Sequence, residues 1–552
     1  MCIRQISRCV AAASVFFMLA ATTSFGDDLP ELLRGLAQED GEARAATLQS
    51  LVATGDNRLE TILEDYRRGR LYSWNDQIVF GIDLIEDDDF NEFVRIGDVF
   101  SHEPLLDAAG KEQTIPIEDI LALEPNRAER RRVTLARTLL GLSSPHEVRR
   151  RAAVRKVGTQ ANGTAALETL QHLAETDGDR IVRFAAAESS AMIRFRSQDE
   201  TVQREAAEAL GRLRSVRARS LLEEAVRRED VTAPLRDSIE TALARIRGRE
   251  RLIATYDIVK SGISSGSVLV LMALGLAIIF GMMGVINMAH GEMMMVGSYT
   301  TYATQLLFNH TPEHPVNSYY IFALPLAFCA SALVAGLIEY LVVRRLYKRP
   351  LESLLATYGI GLIMIQTIRS IFGDNRPSNS PSWLQGALEF LPGLTLPYNR
   401  LFILMLCFAC VLGVSALFRY TSLGLKMRAT LQNRDMAAAM GINTRMVDSV
   451  TFMTGGGLAG VAGYALTTIG GITPDMGQNY IVDSFLVVVT GGVGNIAGVV
   501  CSGFGLGLLN KVLEGTLFGA VWAKIIMLLM VIAFIQYKPS GLFAPKGRLA
   551  DE

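Results

Sequence analysis

The 552-residue chain is long enough for several domains, and half of its residues are hydrophobic. Its formal net charge is only −2, and none of its six cysteines lies between Asp27 and Glu250. These values argue against a strongly basic nucleic-acid-binding protein and against an exported domain held by disulfides. The charge is uneven, since residues from Arg251 onward carry 19 Lys and Arg against 14 Asp and Glu, and the first 250 residues carry 35 against 42. A water-compatible domain followed by an integral membrane domain fits this asymmetry.

Residues 1–26 have the composition of a secretory signal peptide. Arg4 and Arg8 precede the apolar stretch 10–25, and small residues, Ser24 and Gly26, occupy the positions that a signal peptidase reads. A membrane span needs about 20 apolar residues. The stretch is short by that measure, so we favour cleavage after Gly26 over an uncleaved anchor helix.

Residues 27–250 are predicted to form an exported, periplasmic helical domain. Arg151–Gly158 (RAAVRKVG) and Arg204–Gly211 (REAAEALG) place alanines and an aliphatic residue on one helix face and charges on the other. This pattern resembles HEAT-type repeats, whose stacked helix pairs present a concave docking surface. Residues 75–100 break the rhythm and are expected to hold short strands or a long loop. The basic run Arg127–Arg132 is interpreted as a solvated helix face, so no nucleic-acid partner is expected.

Residues 251–552 are predicted to form a polytopic transmembrane helical bundle, which makes the expected fold class of the whole chain all-α. The apolar runs indicate about eight or nine spans or re-entrant segments in contact with membrane lipid. The run 481–510 is too long for one span and carries GGVGNIAG in its middle, so it forms either two short spans or a re-entrant hairpin. The other predicted spans are 258–283, 286–307, 318–343, 354–373, 400–418, 448–470 and 518–537.

The Lys and Arg residues of the connections predict the orientation of the bundle. Connections 344–349 and 419–447 and the tail after 537 are basic and should face the cytoplasm, whereas 308–317 and 471–480 carry no Lys or Arg. Counting spans backwards places residue 255 outside, on the side to which a signal peptide would deliver residues 27–250. The chain is therefore expected in a bacterial cytoplasmic (inner) membrane, with its N-terminal domain in the periplasm.

The sequence offers no catalytic motif. It has no P-loop, so it is not expected to hydrolyse ATP, and it shows no metal-ligand cluster. Cys407 and Cys410 have C-x-x-C spacing, but their apolar flanks favour packing within a membrane helix. We expect neither an enzyme nor a bound cofactor.

Several polar groups lie in or beside the predicted spans. Ionisable groups there are costly unless they face a cavity or a partner. Asn287, His290 and Glu292 either line a substrate pathway or hydrogen-bond neighbouring helices, and both interpretations stay open. Glu339 and Arg369 could pair between spans in a structural role. Further pathway candidates lie around the interrupted run: Asp483, Thr490, Gly492 and Gly494.

Residues 421–447 are basic and helical in pattern. Asp435, Ala437 and Gly441 fit E-A-A-x-x-x-G, with Asp in place of Glu and Met436 in place of the first Ala. The pattern resembles the coupling loop of ABC importer permeases, which docks into a groove on the ATPase subunit. Small residues, here with Ala438, would permit close docking, and Gly441 would end the helix. The alternative is an ordinary amphipathic connector.

Five segments extend this resemblance over nearly all of residues 251–552. They are GVINMAHGEMMMVGSY, KRPLESLLATYGIGLIMIQ, GLKMRATLQNRDMAAAMGIN, GGVGNIAG and YKPSGLFAPKGR. Together they are similar to permease subunits of the branched-chain amino acid ABC transporter family. The exported extension and the ending KPSGLFAPKGRLADE look more specifically like the first permease subunit of the urea-transporting branch.

The resemblance implies a permease subunit of an ATP-driven importer, with urea as the expected substrate and branched-chain amino acids as the alternative. It also implies a second permease subunit, two ATPase subunits and a periplasmic substrate-binding protein. The alternative hypothesis from a different functional class is a membrane receptor with an exported sensor domain. The rival is disfavoured because the longest cytoplasmic segment, 419–447, is too short for a signalling domain.

Overall fold

The computed structural model describes residues 29–543 except 39, 57, 87–91, 108–109, 161–162, 229–230, 309–315, 348, 379, 516–518 and 540. The segment interpreted as a signal peptide and the last nine residues lie outside these ranges. The chain divides into two compact units between Glu250 and Arg251.

The first unit combines helices with one antiparallel sheet. Among its described residues, three helices precede the sheet and six follow it before the long helix α10, Ala233–Met283. The nine helices are α1 Leu29–Arg34, α2 Gly41–Thr54, α3 Leu59–Arg68, α4 Arg127–Leu142, α5 Glu147–Thr159, α6 Leu167–Thr176, α7 Arg180–Phe195, α8 Glu200–Leu213 and α9 Arg219–Val226.

The sheet has five strands in the order β4-β3-β2-β1-β5. In β3, Val94 and Ile96 are buried whereas Arg95 between them is partly exposed, the alternation that a sheet with one buried face requires. The all-α expectation is therefore wrong for this unit, although strands were anticipated within residues 75–100. The strands are β1 Leu71–Trp74, β2 Gln77–Glu86, β3 Glu92–Gly97, β4 Thr114–Pro116 and β5 Leu121–Ala122.

Three of the helices between α4 and α9 begin at side-chain caps, and α5 and α6 both pack on α7. Asn126 Oδ1 accepts hydrogen bonds from the backbone of α4, and the Glu129 carboxylate accepts one from the Asn126 N–H, which completes a capping box. Asp179 and Asp199 cap α7 and α8. Alanines fill the contacts between these helices, as Ala206 and several neighbours are fully buried. The helices therefore form a layered stack.

The second unit is helical apart from a two-stranded hairpin, β6 Ala387–Leu391 and β7 Leu394–Pro397. Helix α12 continues through a π-helical turn, Glu339–Val343, into α13. The helices after α10 are α11 His290–Leu307, α12 Tyr319–Ile338, α13 Arg344–Leu346, α14 Pro350–Phe372, α15 Tyr398–Tyr420, α16 Ser422–Gln432, α17 Arg434–Ala439, α18 Thr444–Leu466, α19 Met476–Gly491, α20 Ile496–Leu513 and α21 Ala520–Tyr537.

Six of the described helices are long and apolar enough to cross a membrane. They lie at six of the predicted span positions and support a multi-pass membrane protein. Helices α11 and α18, at the predicted spans 286–307 and 448–470, are not among the six. The run 481–510 divides into α19 and α20, with a break at 492–495 where Gly492 and Gly494 have positive φ. The six are Ala233–Met283, Tyr319–Leu346, Leu351–Phe372, Tyr398–Tyr420, Ile496–Leu513 and Ala520–Tyr537.

Glycines allow α11 and α18 to cross at backbone contact. A Cβ built on Gly297 would lie 2.1 Å from the carbonyl oxygen of Gly460, and one on Gly463 would lie 1.9 Å from that of Met294. Gly291 and Gly477 make the equivalent contact between α11 and α19. Without a hydrophobic driving force between helices in lipid, close packing of small residues stabilises the bundle. Helix α11 is therefore a central, protein-enclosed helix.

The bundle has two distinct ends, named here by one residue each. At the Arg434 end, Arg434 Nη1 donates to the Tyr347 hydroxyl at 2.8 Å, and the Leu542 N–H donates to the Thr490 carbonyl at 2.8 Å. A cavity of about 870 Å³ at this end is lined by residues that include Arg428 and Leu542. The basic connections 344–347 and 421–443 and the chain after α21 thus share one end.

The Thr395 end gathers the other connections. The backbones of Arg376 and Ile472 exchange two hydrogen bonds of 3.0 Å, and the Asn399 side chain donates to the Thr468 carbonyl at 2.9 Å. Lys260 donates to the Thr395 carbonyl at 3.1 Å. The first residues of the second unit therefore lie at the end opposite to Arg434.

Candidate functional site: a buried polar helix start

Helix α11 begins about half-way along the apolar helices beside it. The His290 ring contacts the carbonyl of Met272, which lies eleven residues before the end of α10. At a rise of about 1.5 Å per residue this is about 16 Å from that end. A hydrocarbon core is about 30 Å thick, so the N-terminus of α11 lies near mid-depth. Helix α11 begins at His290, four residues after the start of the predicted span 286–307, and its crossing of the membrane stays a prediction.

His290 is fully buried and fixes the start of α11 against α10. Its Nε2 lies 3.1 Å from the Met272 carbonyl oxygen, and Nδ1 has no hydrogen-bond partner. The ring fits because Gly275 has no side chain, since a Cβ there would lie 3.0 Å from His290 Cε1. The sequence left two interpretations open, a pathway-lining residue or a hydrogen bond to a neighbouring helix. The Nε2 contact with α10 corresponds to the second.

Asn287 shapes the turn before α11 and is 1% exposed. Its Oδ1 accepts from the Ala289 N–H at 3.1 Å, whereas its Nδ2 has no partner. The next N–H, of Met288, donates to Thr357 Oγ1 on α14 at 3.1 Å. The turn is thus held to α14, and the Asn287 amide nitrogen has no hydrogen-bond partner among the described residues.

Glu292 is 4% exposed, and its carboxyl group packs against α14 at Gly361, which has no side chain. A Cβ built on Gly361 would lie 3.1–3.3 Å from the Glu292 carboxyl group, so glycine is what leaves it room. Its Oε2 has no hydrogen-bond partner. Gly361 lies eleven residues after the start of α14, again about 16 Å along the helix. Asn287, His290 and Glu292 are therefore three buried polar residues around the start of α11, named here the buried polar cluster, with His290 facing α10 and Glu292 facing α14.

The remaining pathway candidates do not join this cluster through any described contact. Asp483 faces α21, with its carboxylate 3.9 Å from Lys524 Nζ. Thr490 is buried with an unpartnered hydroxyl. At the break, a Cβ built on Gly281 would lie 2.8 Å from Gly494 Cα, and Gly541 approaches Gly492 as closely. Gly492 and Gly494 thus permit the turn between α19 and α20 at the Arg434 end.

The segment compared with a coupling loop forms a short exposed helix. Helix α17 is capped by Asn433 and ends before Gly441, whose φ is 83°. Asp435 and Ala438 lie on its exposed surface, but Ala437 is 5% exposed and packs inside this chain. Of the two alanines, only Ala438 is thus placed to meet another subunit.

Two polar networks at the Arg434 end were not anticipated from the sequence. Arg434 binds Tyr347 and Asp448, and Ser449 donates to Glu339 Oε2 at 2.8 Å. Glu339 forms its ion pair with Arg344 of the same continuous helix. The expectation that Glu339 forms an ion pair between spans is therefore wrong. Arg369 does pair between helices, with Asp475 at 2.9 Å. The isolated acids in apolar surroundings were the available signal, but the contacts that join separate elements, Arg434 to Tyr347 and Ser449 to Glu339, link residues far apart in sequence.

Multi-pass helical bundles with buried polar helix starts occur in membrane transport proteins. Residues 258–535 match the model of the family "Branched-chain amino acid transport system / permease component". The match covers half of the chain, and the chain belongs to this family, as its motifs indicated. Among the described residues, no group of three or more His, Cys, Asp or Glu side chains could hold a metal ion.

Relatives come from bacteria and archaea. The permease protein BraD of a high-affinity branched-chain amino acid transport system of Pseudomonas aeruginosa is 28% identical over 51% of this chain and 93% of its own length. A probable branched-chain amino acid permease, LivH of Methanocaldococcus jannaschii, is 29% identical over 52% and 91%. Escherichia coli LivH is 26% identical over 51% and 93%. No solved structure is significantly similar.

Proposed function

We propose that this chain is a transmembrane permease subunit of an ATP-driven importer that carries urea across the bacterial cytoplasmic membrane. The observation that carries the proposal is the cluster of Asn287, His290 and Glu292, buried at mid-depth with unsatisfied polar atoms. Interrupted helices whose N-termini lie at mid-depth form substrate sites in transporters. The chain itself catalyses no reaction, and ATP is hydrolysed on partner subunits.

In this proposal the free amide of Asn287 and the free carboxylate oxygen of Glu292 contact the substrate as it passes α11. Urea is small and neutral and both donates and accepts hydrogen bonds, so it needs polar contacts without a fixed counter-charge. His290 holds α11 against α10, and Asp483, Thr490, Gly492 and Gly494 shape the helix pair that packs on this core.

Urea is favoured by the resemblance of the N-terminal extension and of the C-terminal segment to the urea-transporting branch. A branched-chain amino acid is the second candidate, supported by the relatives BraD and LivH, which are permease proteins of branched-chain amino acid transport systems. The bundle is compatible with both, because its buried polar groups would also bind a zwitterion.

The proposed assembly contains a second permease subunit, two ATPase subunits and a periplasmic substrate-binding protein. Helix α17, with Asp435, Ala438 and Gly441 at its exposed surface and Ala437 packed beneath, is the proposed contact with an ATPase subunit. Residues 1–26 act as a signal peptide, and residues 27–250 form a periplasmic, HEAT-like domain that docks the binding protein. The position of Tyr256 and Lys260 at the end opposite to α17 supports this orientation.

Uptake in a strain that lacks this chain tests the function. The wild-type chain should restore uptake of radiolabelled urea, and excess unlabelled urea should compete whereas leucine should not. Restored leucine uptake without urea uptake would establish the second candidate. Purification of the tagged chain should recover two ATPase chains, and their absence together with a lack of uptake would favour the receptor alternative.

A further inference from the structure

Arg434, the first residue of α17, joins three separate elements. Its Nη1 donates to the Tyr347 hydroxyl at 2.8 Å and to Asp448 Oδ1 at 3.3 Å, and its Nη2 donates to Asp448 Oδ2. The guanidinium carbon also lies 4.5 Å from the centre of the Tyr347 ring. Tyr347 follows α13, and Asp448 lies in the first turns of α18. One planar side chain thus fastens α17 to the ends of two helices of the bundle.

Burial distinguishes this contact from an ordinary surface ion pair, because removal of one partner leaves a buried charge uncompensated. Asp448 is 5% exposed, whereas the Arg434 side chain is 38% exposed. Bidentate geometry with a desolvated carboxylate restricts the relative movement of the two helices. Exposed pairs, by contrast, contribute little.

Ser449, the residue after Asp448 in α18, also forms hydrogen bonds to another element. Ser449 donates to Glu339 Oε2, and Arg344 Nη2 donates to both Ser449 Oγ and Glu339. Glu339 is 2% exposed and begins the π-helical turn that follows α12. The first turns of α18 are therefore held on both sides, by α17 and by the continuation of α12.

The outer surface of α17, in contrast, is free within this chain. Met436 and Met440 are 60% and 80% exposed. A force applied there would reach the bundle through Ala437 packing and through Arg434. Beyond its first turns, α18 carries Gly460 and Gly463, which contact the backbone of α11, the helix that bears the buried polar cluster.

We propose that Arg434 and Asp448 form a mechanical latch, with Tyr347 as its third member, that makes α17 and α18 move together. The inference rests on the proposed function and deepens it: the latch transmits displacement of α17 by an ATPase subunit to the α18–α11 crossing. Arg434 and Asp448 are positioning residues, since neither touches substrate or nucleotide. Loss of the latch should uncouple ATP hydrolysis from transport without preventing assembly.

The experiment uses the complete complex in proteoliposomes and measures the amount of radiolabelled urea, or leucine, carried per ATP hydrolysed. Arg434→Ala and Asp448→Asn should each lower this ratio about tenfold, the size of a typical coupling effect, while basal ATP hydrolysis persists. Arg434→Lys keeps the charge but cannot bind Tyr347 and Asp448 together, so it should assemble and show a smaller loss. The double change Arg434→Asp with Asp448→Arg should restore part of the ratio.

Arg349→Ala is the matched control. It removes a cation at the same end, but its partner Glu352 lies on α14 three residues away and the pair is exposed. Its transport per ATP should stay within about twofold of the wild type. An unchanged ratio in Arg434→Lys and Asp448→Asn, or loss of assembly in both, would overturn the latch.

A second readout separates failure of the latch from failure of the proposed function. A spin label at Met440→Cys should be more mobile in Arg434→Lys than in the wild type, because the latch immobilises α17. If the wild-type complex carries neither urea nor leucine, the proposed function fails. A mobile label in Arg434→Lys would then still support the latch, and an unchanged label would overturn it.

Discussion

At the scale of single residues, Glu292 is the most testable member of the buried cluster. Glu292→Gln keeps the size of the side chain and removes its ability to carry charge, so the bundle should still assemble. Uptake should fall about tenfold if the carboxylate contacts the substrate, the effect of losing about 1.4 kcal/mol in the transition state. Measurement of uptake at equal membrane abundance checks this. The control Glu352→Gln changes an exposed carboxylate of α14 and should have no such effect; equal losses in both variants would contradict a pathway role.

Glu64 provides a pH-dependent prediction in the first unit. Hydrogen bonding from Arg67, supported by Arg68 and Arg137, lowers the pKa of the Glu64 carboxyl group to about 2. Because the folded pKa is lowered, the stabilisation is present above the ordinary value of about 4.5 and is lost as the pH falls towards 2. Thermal unfolding of the purified chain should show Glu64→Gln to be destabilising at pH 6 and progressively less so as the pH falls from about 4.5 towards 2. The exposed Glu31→Gln serves as the control, and a pH-independent penalty in Glu64→Gln would refute the ion-pair origin.

At the scale of helices, the glycine crossing of α11 and α18 should be intolerant of a methyl group. Gly297→Ala would place Cβ 2.1 Å from the Gly460 carbonyl oxygen, and overpacking of this kind costs about 1–3 kcal/mol or more. Gly413→Ala on α15 meets nothing within 4 Å and should be neutral or slightly stabilising. Thermal stability in detergent measures the difference. Equal melting temperatures for the two variants would show that the crossing is looser than described.

The end of α17 makes a second helix-scale prediction. Gly441 has φ of 83° with open space around it, so Gly441→Leu meets backbone strain rather than a clash within this chain. Gly441→Leu should insert in the membrane yet abolish uptake and release or uncouple the ATPase subunits, because bulk and strain both oppose docking. Gly441→Asn tolerates this conformation better and should retain part of the activity. Normal uptake by Gly441→Leu would exclude this segment as the coupling element.

The helices were predictable to different degrees for physical reasons. Spans such as α15 and α21 follow from apolar length alone, since lipid requires about 20 apolar residues of any crossing helix. The mid-depth start of α11 was not predictable, because it depends on contacts with Met272 and Gly361 that only the folded bundle brings together. The alternation of Val94 and Ile96 with Arg95 in β3 is visible in the sequence. The all-α prediction gave such short strands too little weight, because strand formation depends on side-chain packing that a local pattern does not show.

At the scale of the whole molecule, the orientation is the decisive prediction. A reporter that is active only in the periplasm should be active when fused after Glu250 and inactive within 421–443 or after Tyr537. The expectation follows from the basic connections at the Arg434 end and from the position of Lys260 at the opposite end. Activity after Tyr537 with inactivity after Glu250 would invert the topology and remove the support for a periplasmic first unit.

Only some of the candidate pathway residues could be grouped correctly from the sequence. Asn287, His290 and Glu292 were visible as polar residues in an apolar run, and the structure brings them to one helix start. The structure places Asp483 against Lys524 instead, because Lys524 lies on α21, 41 positions later. Partners so distant in sequence are set by the arrangement of the bundle and not by local pattern.

The burial of α10 has a consequence for biosynthesis. Its most apolar 18 residues are 83% buried, against 17–39% for the corresponding residues of the other five candidate spans, yet it is the first of the six to leave the ribosome. Its backbone contacts at Gly266 and Gly281 are made with Gly507 and Gly494, which are synthesised much later. The nascent α10 must therefore stay in lipid or beside the insertion machinery with its glycine surface unpacked until α19 to α21 are made. Early release from the insertion machinery would allow non-native contacts with other helices.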